Sequence, residues 1–171
     1  MPIRAVQVTP SLLHLDSIVT RLTGTQALAE ACRYLRHEVS HYRWVGIYLV
    51  DGDALRLAAW AGPQATEHVV IPLGKGVCGR AAREGRTVIV NDVRESPEYL
   101  ACFLETRSEI VVPIRGDATV LGEIDIDGNE VKAFDASDDR FLRAVATKLA
   151  VPARAASSAV AAHEPPARGG G

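Results

Sequence analysis

Two pairs of alternating runs, each closed by a turn rich in Asp and Gly, constrain this chain most. Runs 44–50 and 54–61 flank Asp51-Gly52-Asp53, and runs 109–115 and 119–127 flank Gly116-Asp117. Period-two side chains bounded by such turns predict two antiparallel hairpins. Helical spacing precedes them. Leu12, Leu15, Val19 and Leu22 recur before Gly24, and Leu28, Ala31, Cys32, Leu35 and Val39 share one face of a second helix that Thr25 would cap. Between the hairpins, 69–72 reads as a short third strand, 77–83 as a short helix ended by Gly85, and 87–91 as a fourth strand. A loop runs on to about residue 107. Phe141, Leu142, Val145 and Leu149 mark a last amphipathic helix over 137–149. This order predicts an α+β domain, with a central antiparallel sheet of about six strands flanked by N- and C-terminal helices.

The domain is expected over residues 1–152. Residues 153–171 are mainly Ala, Ser, Pro and Gly, too poor in large apolar groups to offset their ordering entropy, and predict a disordered tail. Nineteen basic against 21 acidic side chains, a net charge of −2, argue against a general nucleic-acid binder. No run approaches the roughly 18 apolar residues of a membrane span. Arg4, His14 and Asp16 interrupt the region where a signal peptide would carry its apolar core. The three cysteines are an odd number, which disfavours a disulfide framework. The expectation is a cytoplasmic chain with reduced thiols.

Cys32 lies on the apolar face of its helix and reads as a small core side chain. Cys78 sits in Gly74-Lys75-Gly76-Val77-Cys78-Gly79. This is either a tight turn with a cysteine capping a helix, or a thiol whose pKa the helix start lowers. It is not a nucleotide P-loop, because Gly-Lys is not followed by Ser or Thr. Cys102 falls in the loop before Arg107, where exposure is expected and a guanidinium would favour thiolate. In Glu123-Ile124-Asp125-Ile126-Asp127 the alternation puts three carboxylates on one sheet face and two isoleucines on the other. Glu109 begins the neighbouring strand and can join them. Such a cluster is an acidic outer face, a site for a hard divalent cation, or a site for a ligand ammonium. Trp44 and Tyr48 share a face of the first strand, as core or as an apolar wall around a cation or thioether. Arg33, Arg36, His37, His41 and Arg43 read as a solvated basic face.

Taken together, 44–48, the glycine-flanked Cys78, Ala101-Cys102, Ser108-Glu109-Ile110-Val111-Val112-Pro113 and Glu123–Asp127 resemble the GAF-domain free methionine-(R)-sulfoxide reductases. The resemblance covers about residues 12–149. It implies a GAF-like fold and thiol-dependent reduction of free methionine-(R)-sulfoxide to methionine. By resemblance Cys102 is the nucleophile, which passes through a sulfenic acid to a disulfide. Glu109, Asp125 and Asp127 hold the substrate's polar groups and assist protonation of the leaving oxygen, while Trp44 and Tyr48 enclose the methyl sulfoxide end. No bound cofactor or metal is implied; thioredoxin or another thiol is the reductant. Many members carry a further cysteine ten residues ahead of the glycine-flanked one, where this chain has His68. Either Cys78 or an external thiol then resolves the sulfenic acid. A homodimer is one arrangement left open. The rival reading is a non-catalytic GAF sensor that binds a small ligand and regulates a partner.

Overall fold

A computed structural model describes residues 5–161. The elements follow the order α1 (Ala5–Arg21), α2 (Gly24–Glu38), β1 (Trp44–Asp51), β2 (Ala54–Ala61), β3 (Val70–Pro72), α3 (Gly76–Glu84), β4 (Val88–Val90), β5 (Ser108–Arg115), β6 (Val120–Gly128) and α4 (Ala136–Ala161). They build one six-stranded sheet in the order β3-β2-β1-β6-β5-β4, every neighbouring pair antiparallel. Both predicted hairpins form. The first turns through Gly52, whose φ of 59° lies in the left-handed region that a two-residue hairpin loop demands.

β1 and β6 meet at the centre of the sheet, and their register decides what faces what. Trp44 pairs with Asp127, Gly46 with Asp125 and Tyr48 with Glu123. Across the other side of β6, Asp127 pairs with Glu109, Asp125 with Val111 and Glu123 with Pro113. Directly opposed residues of an antiparallel pair project to the same face. One face therefore carries the aromatics and acids. The other carries Val45, Ile47, Ile110, Val112, Ile124 and Ile126, which pack into the main apolar core under α1, α2 and α4. Cys32 is buried in that core, where desolvation holds its thiol protonated.

Two boundaries differ from the sequence reading. The residue before α2 is Thr23, not Thr25, and its side chain makes no capping hydrogen bond. The last helix does not stop near Leu149 but runs through Pro152 to Ala161. Ala153 and Ala156 are buried on it, and the backbone of Ala156 comes within about 3.6 Å of the Cβ position of Gly24. Small residues let two backbones approach, so a segment without large apolar groups is held by close packing instead. The expected disorder of 153–171 fails for 153–161, and residues 162–171 lie outside the described residues. Among the described residues no helix is long and apolar enough to cross a membrane.

Candidate active site

The acid face of β6 is not an outer surface. Glu123, Asp125 and Asp127 are 0%, 1% and 2% exposed, and Glu109 is 5% exposed. The lid over them is α3 together with the loop between β4 and β5. Leu100 of that loop presses on Gly76, where a Cβ would stand 2.9 Å from its side chain. Phe103 lies 5.7 Å from the Trp44 ring, centroid to centroid, and His68 Nε2 is 3.2 Å from the Ala101 carbonyl oxygen. These three contacts hold the segment that bears Cys102 over the sheet.

The aromatic wall is equally fixed. Trp44 Nε1 donates to the Gln64 carbonyl at 3.2 Å, and Tyr48 Oη donates to the His68 carbonyl at 2.8 Å. Trp44 stacks with Trp60 at 6.4 Å and 12° between planes. Its indole lies over Gly46 and Gly62, where an added Cβ would fall 2.3 Å and 2.1 Å from ring atoms. Gly46 is thus the small residue that lets the indole fold down beside Asp125.

Four buried carboxyl groups share this space with little to neutralise them. Glu109 Oε2, both oxygens of Glu123, Asp125 Oδ1 and both oxygens of Asp127 are buried without a hydrogen-bond partner. Desolvation, then mutual repulsion, pushes Glu109 and Asp127 well above the usual carboxylate range. Desolvation raises Asp125 to about 6, with its contacts to Glu109 and Cys78 opposing the rise. In the unliganded protein the cluster is poised to hold protons and to exchange them for a cation. Donor atoms of Cys78, Glu109 and Asp125 lie within 4.8 Å of one another. A small divalent cation could also bridge such a set, in competition with the protons these groups hold.

Neither thiol is electronically activated at rest. Cys78 is 4% exposed, on the first turn of α3, and desolvation followed by Asp125, Glu123 and Glu109 raises its pKa well above normal. Of the two readings the sequence left open for Cys78, the thiol lowered by a helix start is not met: burial first, then the carboxylates, acts the other way. Cys102 is half-buried, and desolvation with Asp125, Asp127 and Glu109 raises it too, while Thr66 opposes the rise. Arg107 does not supply the expected help. Its Nη1 donates to the carbonyls of Leu104 and Thr106, at 3.0 and 3.1 Å.

An open cavity of about 330 Å³ adjoins the cluster at its Trp44–Asp127 end, with Phe103 and Thr106 on its walls. Arg43 is the cation on that wall; neither Cys78 nor Cys102 lines the cavity.

Residues 23–151 match the GAF-domain family model. The chain is 32% identical to the free methionine-R-sulfoxide reductase of Escherichia coli over 133 residues, 78% of this chain and 76% of that protein. The chain belongs to the GAF-domain family that includes the free methionine-R-sulfoxide reductases. The Neisseria meningitidis reductase, solved with its substrate, superposes with a TM-score of 0.83 at 36% identity, over 93% of this chain and 95% of that one. The Staphylococcus aureus reductase, also in complex with substrate, gives 0.78 at 32% identity over 88% and 97%. A GAF domain from a Coxiella burnetii phosphotransferase reaches 0.82 at 18% identity, covering 93% and 99%, which speaks to the fold alone.

In this GAF-domain chain the sequence-predicted residues Trp44, Tyr48, Cys78, Glu109, Asp125 and Asp127 all gather on one covered sheet face, with Cys102 on the loop above. Two neighbours of the site, Thr66 and Thr106, were not singled out, and two residues named from the sequence, Glu123 and the exposed Arg43, were given no part in it. Glu123 is as buried as its neighbours, and the alternation already carried that signal. Thr66 and Thr106, both buried, come from loops whose course no local pattern fixes. Arg43 belonged to a run of basic residues that read as solvated.

Proposed function

We propose that this protein reduces free methionine-(R)-sulfoxide to methionine through its own thiols. The observation that carries the reading is a half-buried cysteine, Cys102, above a buried cluster of unpartnered carboxyl groups walled by aromatics. The likeness to reductases solved with their substrate supports it.

The chemistry follows from charge. The ammonium of a free amino acid meets Asp127, Asp125 and Glu109, where it replaces protons the cluster otherwise holds. Its carboxylate meets Arg43 at the cavity wall. A peptide-bound methionine sulfoxide has neither charge, and its uncharged amides would leave those carboxylates buried and unpaired. The methyl–sulfur end rests against Trp44, a contact that suits a polarisable group. Cys102 sulfur attacks the sulfoxide sulfur, and the leaving oxygen takes up a proton from the carboxyl cluster, Glu109 foremost. The protonated oxygen then passes from the substrate sulfur to Cys102 sulfur as the bond between the two sulfurs breaks, which releases methionine and leaves Cys102 as a sulfenic acid. Cys78 then displaces that oxygen as water and forms a disulfide, which a thioredoxin-type dithiol reopens. Substrate binding also changes the electrostatics of the first step. Burial and the acids together raise the Cys102 thiol, and an ammonium among those acids offsets their share.

The resting state, with both thiols protonated, favours one second reading: a sensor that binds an amino acid without turning it over. A single assay separates the two. With a thioredoxin system, the purified chain is expected to consume the R epimer of the free sulfoxide and to leave the S epimer and a peptide-bound sulfoxide untouched. Binding of the free R sulfoxide without methionine formation would leave the sensor reading and remove the enzyme.

A further inference from the structure

No regular element orients the backbone that carries Cys102. Residues 99–107 belong to neither a helix nor a strand, so the peptide leading into Cys102 has no ladder to hold its plane. Its carbonyl, that of Ala101, meets a side chain instead: His68 Nε2 stands 3.2 Å away. A carbonyl oxygen only accepts, so the ring nitrogen facing it carries the hydrogen. His68 lies in the loop between β2 and β3, and its own backbone is bonded on both sides. Its N–H donates to Thr66 Oγ1 at 3.1 Å, and its carbonyl accepts from Tyr48 Oη at 2.8 Å. Tyr48 and Thr66 are both buried. The next residue is tied to β2, where the Leu57 N–H donates to the Val69 carbonyl at 2.9 Å. The imidazole therefore reaches out from a fixed point.

The peptide group is planar, and the Ala101 carbonyl shares its plane with the nitrogen and Cα of Cys102. Holding that oxygen fixes the plane from which the Cys102 side chain departs. We propose that His68 is the positioning residue for the nucleophile: its imidazole clasps the carbonyl that precedes Cys102 and sets the approach of the sulfur relative to the Tyr48 wall. The inference rests on Cys102 attacking the sulfoxide. Leu100 on Gly76 and Phe103 on Trp44 press the loop down by apolar contact, which is not directional. The His68 bond adds direction, since a hydrogen bond weakens steeply away from a straight approach. One residue thus joins wall and nucleophile: Tyr48 holds the His68 backbone, and the His68 ring holds Ala101. A reacting group misplaced by about 1 Å can lose about 10²-fold in rate, so the clasp acts on speed more than on binding.

The test uses the full chain and three variants, His68→Ala, His68→Gln and His68→Asn, none of which removes the backbone bonds to Thr66 and Tyr48. The side-chain amide nitrogen introduced by His68→Gln reaches the place of Nε2, whereas that of His68→Asn reaches the place of Nδ1. In single turnovers without reductant, methionine release at saturating free methionine-(R)-sulfoxide slows by about 10–10²-fold in His68→Ala and His68→Asn and largely recovers in His68→Gln. The half-saturating concentration stays within about twofold of wild type in all three, because the charged groups that meet the substrate are untouched. Alkylation of Cys102 by iodoacetamide, read by peptide mass without substrate, moves the other way. It speeds up in His68→Ala and His68→Asn as the loop is freed, and stays near wild type in His68→Gln. Saturated release in His68→Ala within about twofold of wild type overturns the proposal, as does equal slowing in His68→Gln and His68→Asn. Alkylation equal in all four proteins overturns the clasp itself. A wild type that releases no methionine overturns the functional reading beneath it, and the positioning role with that reading.

Discussion

Ile124 and Ile126 on one face of β6 are 0% exposed, and Glu123, Asp125 and Asp127 on the other are 0%, 1% and 2% exposed. Both faces are closed to water, yet they were closed by different means. Three helices cover the isoleucines with matching aliphatic side chains, so each methyl group adds to stability. A nine-residue helix and a long loop cover the acids, and most of their carboxyl oxygens find no partner. Burial is a gain on one face and a cost on the other. A fold keeps such a cost where a ligand or a proton is meant to go.

That contrast can be broken most severely by exchanging the two kinds of residue. Ile126→Asp buries an unpaired charge in the helix-covered core and is expected to remove more than about 4 kcal/mol, enough to abolish a cooperative thermal transition in circular dichroism. The smaller challenge is steric. Gly46→Ala would drive a methyl into the Trp44 indole, at an expected cost of about 1–3 kcal/mol, and should raise KM as the aromatic wall shifts. A melt with unchanged midpoint would mean that the indole has room to move.

The smallest effect carries the opposite sign. Because Asp125 binds its proton more tightly in the folded chain, rising to about 6 from an ordinary 3.8, the native state holds more protons than the unfolded one between those values. Stability from this group is therefore present below its unfolded pKa and is lost as pH rises through about 6. The unliganded protein should melt at a lower temperature at about pH 8 than at about pH 5. Asp125→Asn should flatten that slope and gain on the order of 1 kcal/mol at the higher pH, while weakening substrate binding. A midpoint that rises over this interval in the wild type would contradict a proton-holding cluster.

The same comparison explains how much the sequence could disclose. Alternation in Glu123–Asp127 settles that acids and isoleucines part company, and the hairpin turn sets Glu109 opposite Asp127, but the β1–β6 pairing that brings Trp44 and Tyr48 beside them joins distant segments that no turn connects. Alternation does not say which face is covered. That depends on α3 and the loop bearing Cys102 folding back across the sheet, a contact between distant segments fixed by Leu100 on Gly76 and Phe103 on Trp44. The electrostatic misreadings share this origin. A helix start and a nearby arginine left activated thiols open, but burial first, and then carboxylates brought in from β5 and β6, raises both thiols, while Arg107 is spent on carbonyls. At the C-terminus composition misled differently, since Ala153 and Ala156 pack by being small.

The central claim is that Cys102, above the acid face, performs the reduction. A single turnover tests it most directly: reduced protein and free methionine-(R)-sulfoxide are mixed without reductant, and the methionine formed is counted per chain. The wild type is expected to release one methionine per chain, and Cys102→Ser none. Methionine released by Cys102→Ser at the wild-type yield would contradict the account.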